Sequence, residues 1–437
     1  CIVGLGGMLF AYELTVIGGA ILFIKEQFSL SPTMEEVVVS SVLLGALLGA
    51  AVGGPLADRY GRRTALIVTA IIFFLGALGS ALAPTVATLI GGRVVAGVSV
   101  GTVSVTATLY ISEVSPANIR GRLVSLYVLL AAVGFLGSGL VDYAFSGTHG
   151  WRWMFGLGVI PALMFGIGMW FLPESPRWLA SHALHDQARA VLMRFRGTPN
   201  VDGELQSIQS SLAQQRGGWA ELMGPVVRPA LIFGIGLGIC QRVTGINLGF
   251  FYAPTIFEFA GFESAAVDIL ATAGLGLTMV LMTIVAMQVV DRVGRRVLLL
   301  TGLAGMALSL GVLGLAFLVP DRSGILGWVA VVSLMVVVGS WTIGPGAVGF
   351  MLISEIYPLE IRGMAMSIAT VALWAAYLLV TLTFLTTVQI LGKSGTFFFY
   401  TVMGIGAWLF VYSLAPETKG KSLEEIQAYW RQISHNR

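Results

Sequence analysis

The sequence predicts an all-α membrane protein with twelve transmembrane helices in two pseudo-repeated six-helix bundles, joined by short cytoplasmic helices. Of the 437 residues, 56% are hydrophobic and only 11% are charged, whereas soluble proteins carry about 25% charged residues. Twelve apolar stretches follow one another along the chain, and a spanning helix needs about 20 such residues. In addition, short motifs of the first half recur in the second half.

The order of the apolar stretches divides the chain into four parts. The first six lie at about residues 1–24, 37–57, 64–83, 86–112, 123–143 and 153–172, and six more lie at about 230–259, 265–290, 297–319, 325–353, 364–391 and 395–415. The polar stretch between them has apolar residues at helical spacings, namely Val191, Leu192, Leu205, Ile208 and Leu212. We therefore predict bundles at 1–173 and 226–416, an amphipathic helical linker at 174–225 and a tail at 417–437.

Three pairs of motifs define the internal repeat. The motif from Asp58 to Arg63 recurs from Asp291 to Arg296, an offset of 233 residues. Ser-Glu and Arg-Gly pairs follow at an offset of 242, and a Pro-Glu-Ser motif recurs as Pro-Glu-Thr at an offset of 243. Two parallel repeats of six helices, with a substrate site between them at mid-membrane, are a transporter architecture.

The basic residues predict the orientation in the membrane. Of the 25 Lys and Arg residues, two fall inside spans, 19 lie on one predicted side, and the other side has Lys25, Arg152, Arg322 and Lys393. The side with 19 Lys and Arg residues is predicted to be cytoplasmic, which places the linker and the C-terminal tail inside the cell. We expect a multi-pass protein of the plasma (cell inner) membrane. Because the sequence begins at Cys1 within an apolar run, we expect it to be trimmed at its N terminus, and no signal peptide can be read from it.

Several classes of protein are disfavoured by the sequence. A net charge of +3 gives no reason to expect a nucleic-acid partner. The chain has no HExxH, GxSxG, P-loop or Cys/His metal motif, so we predict neither an enzyme nor a bound metal or cofactor, and transport driven by ATP is disfavoured. A nutrient sensor that binds a solute without moving it is an alternative from another class.

A resemblance to a known family comes from motifs in the predicted loops and in spans four and seven. The chain resembles the sugar porter family of the major facilitator superfamily over essentially its whole length, through Asp58 to Arg63, Gly92-Arg93, Glu113 to Arg120, Pro173 to Trp178, Gly245 to Asn247, Asp291 to Arg296, Glu355 to Arg362 and Pro416 to Gly420. The resemblance implies a secondary transporter that moves a monosaccharide or related polyol by alternating access with a proton, and it implies a monomer. A facilitative uniporter and a symporter of a non-sugar organic solute are the alternatives.

The cytoplasmic motifs place arginines and carboxylates where helices end. Arginine guanidinium groups bind carboxylates and the last carbonyls of helices, and in the resembled family such clusters act as latches between the two halves. The candidate latch residues are Asp58, Arg62, Glu113, Arg120, Glu174, Arg177, Asp291, Arg295, Glu355, Arg362 and Glu417. The alternative is that they only anchor the cytoplasmic side.

Glu13 and Arg93 are predicted to form a pair inside the membrane. A lone charge at mid-bilayer costs roughly 3 kcal/mol or more, so such residues pair or face a cavity. In proton-coupled members of the resembled family an Asp usually follows the Tyr of span one, where this chain has Glu13. We predict that protonation of Glu13 releases Arg93 and couples the proton to transport. The alternative is a permanent structural pair in a facilitator.

The resemblance places the substrate residues mainly in span seven. Gln241 and Asn247 match sugar ligands of the family, Trp374 matches an aromatic ligand, and Phe251 falls where a Tyr is common. Phe135 and Phe350 stand where a polar ligand and a Trp are expected, and Arg242 replaces a second glutamine. Arg242 is expected to bind hydroxyls, to bind a carboxylate or to turn away. Gly245, Gly344 and Pro345 are candidate hinges.

Overall fold

The computed structural model is helical throughout the residues that it describes. These are residues 2–214, 222, 224, 227–262, 264–319, 325–357, 361–419, 421, 425 and 430, with only the backbone described at 117, 118, 213, 214, 291 and 354. No β-strand occurs in these ranges. The all-α fold class is therefore confirmed.

The first half of the chain forms seven helices, which correspond to the six predicted spans. They are α1 (Gly4–Gln27), α2 (Pro32–Tyr60), α3 (Arg62–Ala81), α4 (Val86–Val114), α5 (Ala117–Ser146), α6 (Trp151–Gly156) and α7 (Val159–Trp170). The last two make up one predicted span. α4 begins after Thr85, whose hydroxyl accepts a hydrogen bond from the N–H of Thr88, so the cap satisfies one of the free N–H groups at the helix start.

The described residues of the predicted linker form three short helices. They are α8 (Pro176–Ser181), α9 (His185–Arg196) and α10 (Asp202–Gln214). Leu179, Ala180 and Ala188 are buried between them. The apolar residues Val191, Leu205, Ile208 and Leu212 pack against this small core.

The described residues of the second half form nine α-helices and one π-helical segment. They are α11 (Arg228–Val243), α12 (Ile246–Phe251), α13 (Ala253–Phe259), α14 (Ala265–Val293), α15 (Arg295–Ala316), α16 (Ile325–Trp341), the π-helix Thr342–Gly346, α17 (Ala347–Glu355), α18 (Arg362–Leu382) and α19 (Phe384–Leu414). Eleven spans among the described residues are long and apolar enough to cross a membrane. The one predicted span not among these eleven is span seven, at about 230–259. It is interrupted, because Gly245 takes a φ of 87° between α11 and α12.

The predicted boundary between spans eleven and twelve coincides with a kink, and an additional break lies within span eleven. α18 ends at Leu382 and α19 begins at Phe384, while two helical stretches of α19 meet at the non-helical Gly392, with φ 73°, between the predicted spans 364–391 and 395–415. Residues 384–391 are as apolar as the residues before them. The hydropathy pattern therefore gave no sign of the break at Thr383.

The chain forms two compact units. The first takes in the described residues of 1–13, 41–134 and 155–217, and the second those of 14–40, 135–154 and 218–437. The second unit thus includes parts of α1, α2 and α5 in addition to the C-terminal helices. The predicted division into bundles at 1–173 and 226–416 stays a prediction.

Glycines allow two helices of the first unit to approach closely. A Cβ atom on Gly45 or Gly49 of α2 would collide with the carbonyl oxygen of Val94 or Val98. Gly97 and Gly101 of α4 are equally close to carbonyl oxygens of α2. Small residues at spacings of four let membrane helices pack backbone to backbone, which explains part of the high glycine content.

Candidate functional site

The predicted intramembrane pair is found in the first unit. Arg93 Nη1 lies 3.6 Å from Glu13 Oε1, and both side chains are completely buried. Neither carboxylate oxygen of Glu13 accepts a hydrogen bond from any described residue. The arginine also lies over the ring of Phe155, at 5.4 Å from its centroid. The contact between Glu13 and Arg93 is a long ion pair without hydrogen bonds from other groups to the carboxylate.

A network of charged residues joins the ends of α2, α3 and α4 to α8. Arg62 Nε donates to Glu113 Oε2 at 3.0 Å, and Arg62 Nη2 lies 2.9 Å from Asp58 Oδ1. The hydroxyl of Ser175 donates to the same Glu113 oxygen at 2.5 Å. Glu174 accepts the backbone N–H of Arg63 at 3.1 Å, so its carboxylate lies at the positive end of the α3 dipole.

The second half repeats this network. Arg295 Nη2 lies 3.7 Å from Glu355 Oε1, and the hydroxyl of Thr418 donates to Glu355 Oε2 at 2.5 Å. Glu417 accepts the backbone N–H groups of Arg295 and Arg296 at 3.0 and 3.1 Å. Burial acts to raise the pKa of Glu417, but these backbone hydrogen bonds outweigh it and hold the pKa below its usual range.

The remaining latch candidates have other environments. Arg362 donates to the carbonyl oxygen of Tyr357 at 3.1 Å. Within the described residues, Arg120 and Arg177 form no ion pair. The side chain of Asp291 lies outside the described residues. The roles predicted for all eleven latch candidates stay predictions.

Two buried amides of the predicted substrate site lie on either side of the break in span seven. Gln241 is in the last turn of α11 and Asn247 in the first turn of α12, and each is 1% exposed. Asn247 Nδ2 donates to Thr381 Oγ1 of α18 at 3.1 Å. Neither amide atom of Gln241, nor the amide oxygen of Asn247, has a hydrogen-bond partner among the described residues. Buried polar atoms are normally hydrogen-bonded, so these three are available to a ligand.

Arg242 is held by aromatic rings. Its guanidinium carbon lies 4.1 Å from the ring centroid of Tyr377 and 5.6 Å from that of Trp341. The residue is only 5% exposed. Among the described residues no carboxylate pairs with it and its Nε has no acceptor. The side chain thus lies against rings of two other helices, α16 and α18.

The predicted aromatic residues fall into two contacting groups, except for one. Phe135 packs edge-on against Phe250 at 5.3 Å, and Phe251 and Trp374 pack against Tyr377 at 5.5 and 5.6 Å. Phe350 differs, because 44% of its surface is exposed. Its role as a substrate ligand stays a prediction.

The predicted hinge in span ten is a distortion of the helix. Residues Thr342–Gly346, which include Gly344 and Pro345, form a π-helical segment between α16 and α17. A Cβ at Gly344 would meet the carbonyl oxygen of Leu298 at 2.6 Å. Single π-helical turns are often found at functional sites, and proline inside a helix removes a backbone hydrogen bond.

Several residues at these sites were not predicted from the sequence. Tyr377, Trp341 and Thr381 contact Arg242 or Asn247. Tyr377 lies three residues after Trp374 on the same helix, so helical spacing was a usable signal for it. Trp341 directly precedes the distorted segment of span ten. Thr381 had no signal, since a lone Thr in an apolar span is common.

The structure also buries carboxylates near the predicted span ends. Glu35, Glu36, Asp142 and Asp268 all lie within helices and are at most 7% exposed, so Glu13 is not the only carboxylate within a helical span. Glu36 accepts hydrogen bonds from the N–H and the hydroxyl of Thr386, both at 2.7 Å. The predicted span two begins at residue 37, so Glu35 and Glu36 lie just outside it.

A cavity of about 460 Å³ lies in the second unit, lined by Leu22, Phe23, Lys25, Glu26, Ser146, Gly147, His149, Glu258, Phe262, Ser264, Ala265, Ala266 and Asp268. Lys25 forms an ion pair with Glu258 at 2.6 Å. Among the described residues, none of the predicted substrate ligands lines this cavity. The described residues also contain no group of three or more His, Cys, Asp or Glu side chains placed to hold a metal ion.

Motifs repeated in two halves and a broken span are features of polytopic secondary transporters, and solved structures of the major facilitator superfamily match this chain. The chain belongs to the sugar transporter family, since the family model described as "Sugar (and other) transporter" matches residues 1–430. The predicted family resemblance is thereby confirmed, and the protein is a transporter rather than an enzyme.

Relatives match almost the whole chain. The putative metabolite transport protein YwtG of Bacillus subtilis is 42% identical over 97% of this chain and 92% of its own length. The galactose-proton symporter of Escherichia coli K12 is 40% identical over 97% of this chain and 92% of its own length. A structure of the E. coli xylose transporter XylE, in a partially occluded inward-open conformation, matches with a TM-score of 0.85 and 31% identity, covering 96% of this chain and 98% of that one.

Proposed function

We propose that this protein moves a monosaccharide or related polyol together with a proton, by alternating access. The names of its relatives support this, since one is a galactose-proton symporter and another is a xylose transporter. The observation that carries the proposal is the Glu13–Arg93 pair, which is completely buried and 3.6 Å apart.

The pair supports proton coupling because its geometry depends on charge. When Glu13 is ionised, attraction to Arg93 holds α1 and α4 together at this point. When Glu13 is protonated the attraction is lost, so the two protonation states favour different conformations. A proton taken up on one side of the membrane is then released on the other as the protein changes state.

The substrate is proposed to bind at Gln241 and Asn247. Amides suit sugars because each offers donors and an acceptor to hydroxyl groups, which do the same. The three unpartnered amide atoms of these residues support this role. Trp374, Phe251 and Phe135 supply apolar ring surface, on which the apolar face of a sugar stacks. Phe350 is retained as a candidate ligand, and Gly344 and Pro345 as the hinge that moves span ten.

The repeated charged networks are proposed to act as cytoplasmic latches. Arg62–Glu113–Ser175 and Arg295–Glu355–Thr418 are equivalent arrangements in the two halves. In this proposal they hold the loop ends of each half in one conformation and rearrange as the inner side opens. The protein acts in the plasma (cell inner) membrane as a monomer, with linker and tail in the cytoplasm.

The test of the proposal is uptake by purified protein in liposomes, with and without an inward proton gradient. Wild type is expected to accumulate a monosaccharide or polyol from a panel of labelled substrates above its equilibrium level only with the gradient. Glu13→Gln is expected to abolish accumulation but to retain exchange of labelled for unlabelled sugar, because exchange needs no net proton movement. Accumulation by Glu13→Gln equal to wild type would disprove the coupling role. Equilibration of wild type without any gradient dependence would instead identify a uniporter.

A further inference from the structure

Three arginines are buried in the described parts of the chain, and only one of them lacks an anionic partner. Arg62 pairs with Asp58 and Glu113, and Arg93 pairs with Glu13. Arg242, which is 5% exposed, has no carboxylate partner among the described residues. A charge at membrane depth is costly and is normally paired, so the lack of an anion at Arg242 requires an explanation.

The surroundings of Arg242 stabilise a cation without using its hydrogen-bond donors. The residue lies in the last turn of α11, where the negative end of the helix dipole favours a positive charge. The rings of Tyr377 and Trp341 add cation–π attraction at 4.1 and 5.6 Å. None of the guanidinium N–H groups donates a hydrogen bond to a described residue. The fork of the guanidinium is thus held in place with its donors unused.

The adjacent residues are those proposed to bind the sugar. Gln241 precedes Arg242 directly, and its two amide atoms have no partner among the described residues. Asn247 follows after the break at Gly245 and also has an unpartnered amide oxygen. An arginine fork binds a carboxylate through two parallel hydrogen bonds, while the two amides suit hydroxyl groups. The group therefore matches a ligand that carries both hydroxyls and a carboxylate.

We infer that the substrate of this protein is an acidic monosaccharide, a uronic or aldonic acid, whose carboxylate binds Arg242 and whose hydroxyls bind Gln241 and Asn247. This inference rests on the proposed transport function and narrows its substrate class. A neutral sugar leaves Arg242 without an anion, whereas a sugar acid supplies the missing charge. The relatives named for galactose and xylose transport set no limit here, because the inference concerns this chain's own arginine.

The test uses counterflow exchange in liposomes, which does not depend on proton coupling. The probes are D-glucuronate, its neutral amide D-glucuronamide, and D-glucose, which differ mainly in charge at one carbon. Wild type is expected to exchange glucuronate at least about tenfold faster than glucuronamide at low concentration, the effect expected from a charge-assisted bidentate pair. Because this comparison uses only wild type, it does not depend on how a variant folds.

Variants then assign the effect to one residue. Arg242→Gln is expected to remove the preference for glucuronate over glucuronamide, and Arg242→Lys is expected to keep part of it, since lysine retains the charge but not the fork. Arg189→Gln is the matched control, because Arg189 is half exposed and pairs with Asp202 in the linker. It is expected to behave as wild type.

The outcomes separate the inference from the proposed function. Exchange of glucose and glucuronamide without exchange of glucuronate would overturn the inference and leave sugar transport standing. A preference for glucuronate that persists in Arg242→Gln would also overturn the inference. Exchange of none of the three probes would overturn the inference, while the proposed transport function is decided separately by the accumulation test.

Discussion

At the scale of single residues, the two amide side chains of the candidate site differ in their hydrogen bonds to the rest of the protein. Asn247 donates to Thr381 and to the carbonyl oxygen of Tyr377, at 3.1 and 3.4 Å, and so ties α12 to α18. Gln241 makes no such bond to a described residue. Leaving a buried amide unpaired costs roughly 1–3 kcal/mol. The fold therefore tolerates Gln241 at a cost to its own stability, as is common for binding residues.

This difference predicts that two substitutions will both raise KM but will differ in their effect on stability. Gln241→Met is expected to raise the KM for sugar by about tenfold without lowering the melting temperature, because only a ligand uses its amide. Asn247→Leu is expected to raise KM and also to destabilise the protein by roughly 1–3 kcal/mol, since two hydrogen bonds between helices are lost. Uptake kinetics and thermal unfolding in detergent measure both effects. A Gln241→Met protein that melts lower but binds sugar normally would show that Gln241 has a structural role.

At the scale of helices, glycine decides how closely α2 and α4 pack. Gly97 lies in α4 against the backbone of α2, where a Cβ would collide with the carbonyl oxygen of Val42, while Gly91 of the same helix has open space around it. These two positions have the same residue type and helix but different surroundings. They allow packing to be separated from helix propensity.

Gly97→Ala is expected to destabilise the protein by about 1–3 kcal/mol, because the added methyl group forces two backbones apart. Gly91→Ala is the control, and it is expected to be neutral or stabilising by up to about 1 kcal/mol, since alanine favours a helix over glycine. Thermal unfolding of both variants in the same detergent is the measurement. Equal stability of the two variants would contradict the close packing of α2 and α4.

Some features of the helices could be predicted from the sequence and others could not. The positions of the spans were predictable, because a run of about twenty apolar residues is long enough to cross the membrane as a helix. The break at Thr383 was not predictable, because the residues on both sides are apolar. The pairing of Glu13 with Arg93 was predictable, since charges inside spans are few and must be compensated. The contacts of Tyr377 and Trp341 with Arg242 were not, because aromatic residues in spans have many possible neighbours.

At the scale of the whole molecule, the repeat of charged networks constrains the topology. Arg62 with Glu113 and Arg295 with Glu355 occupy equivalent loops of the two halves. In a parallel repeat with six spans per half, equivalent loops lie on the same side of the membrane. Ser175, the N-cap residue of the linker helix α8, belongs to the first network, so the linker is expected on that side too. The excess of Lys and Arg predicts that this side is the cytoplasmic one.

This topology predicts which positions a membrane-impermeant thiol reagent reaches in intact cells. The background is a variant without Cys1 and Cys240, the only native cysteines. In that background Lys393→Cys, an exposed residue beside the kink of α19, is expected to be labelled in intact cells, because it lies on the side poor in basic residues. Ser181→Cys, an exposed residue of the linker, is expected to be labelled only after the membrane is permeabilised. The reverse pattern would contradict the predicted orientation. Labelling of both positions in intact cells would place the linker and Lys393 on the same side of the membrane, which contradicts a repeat with six spans per half.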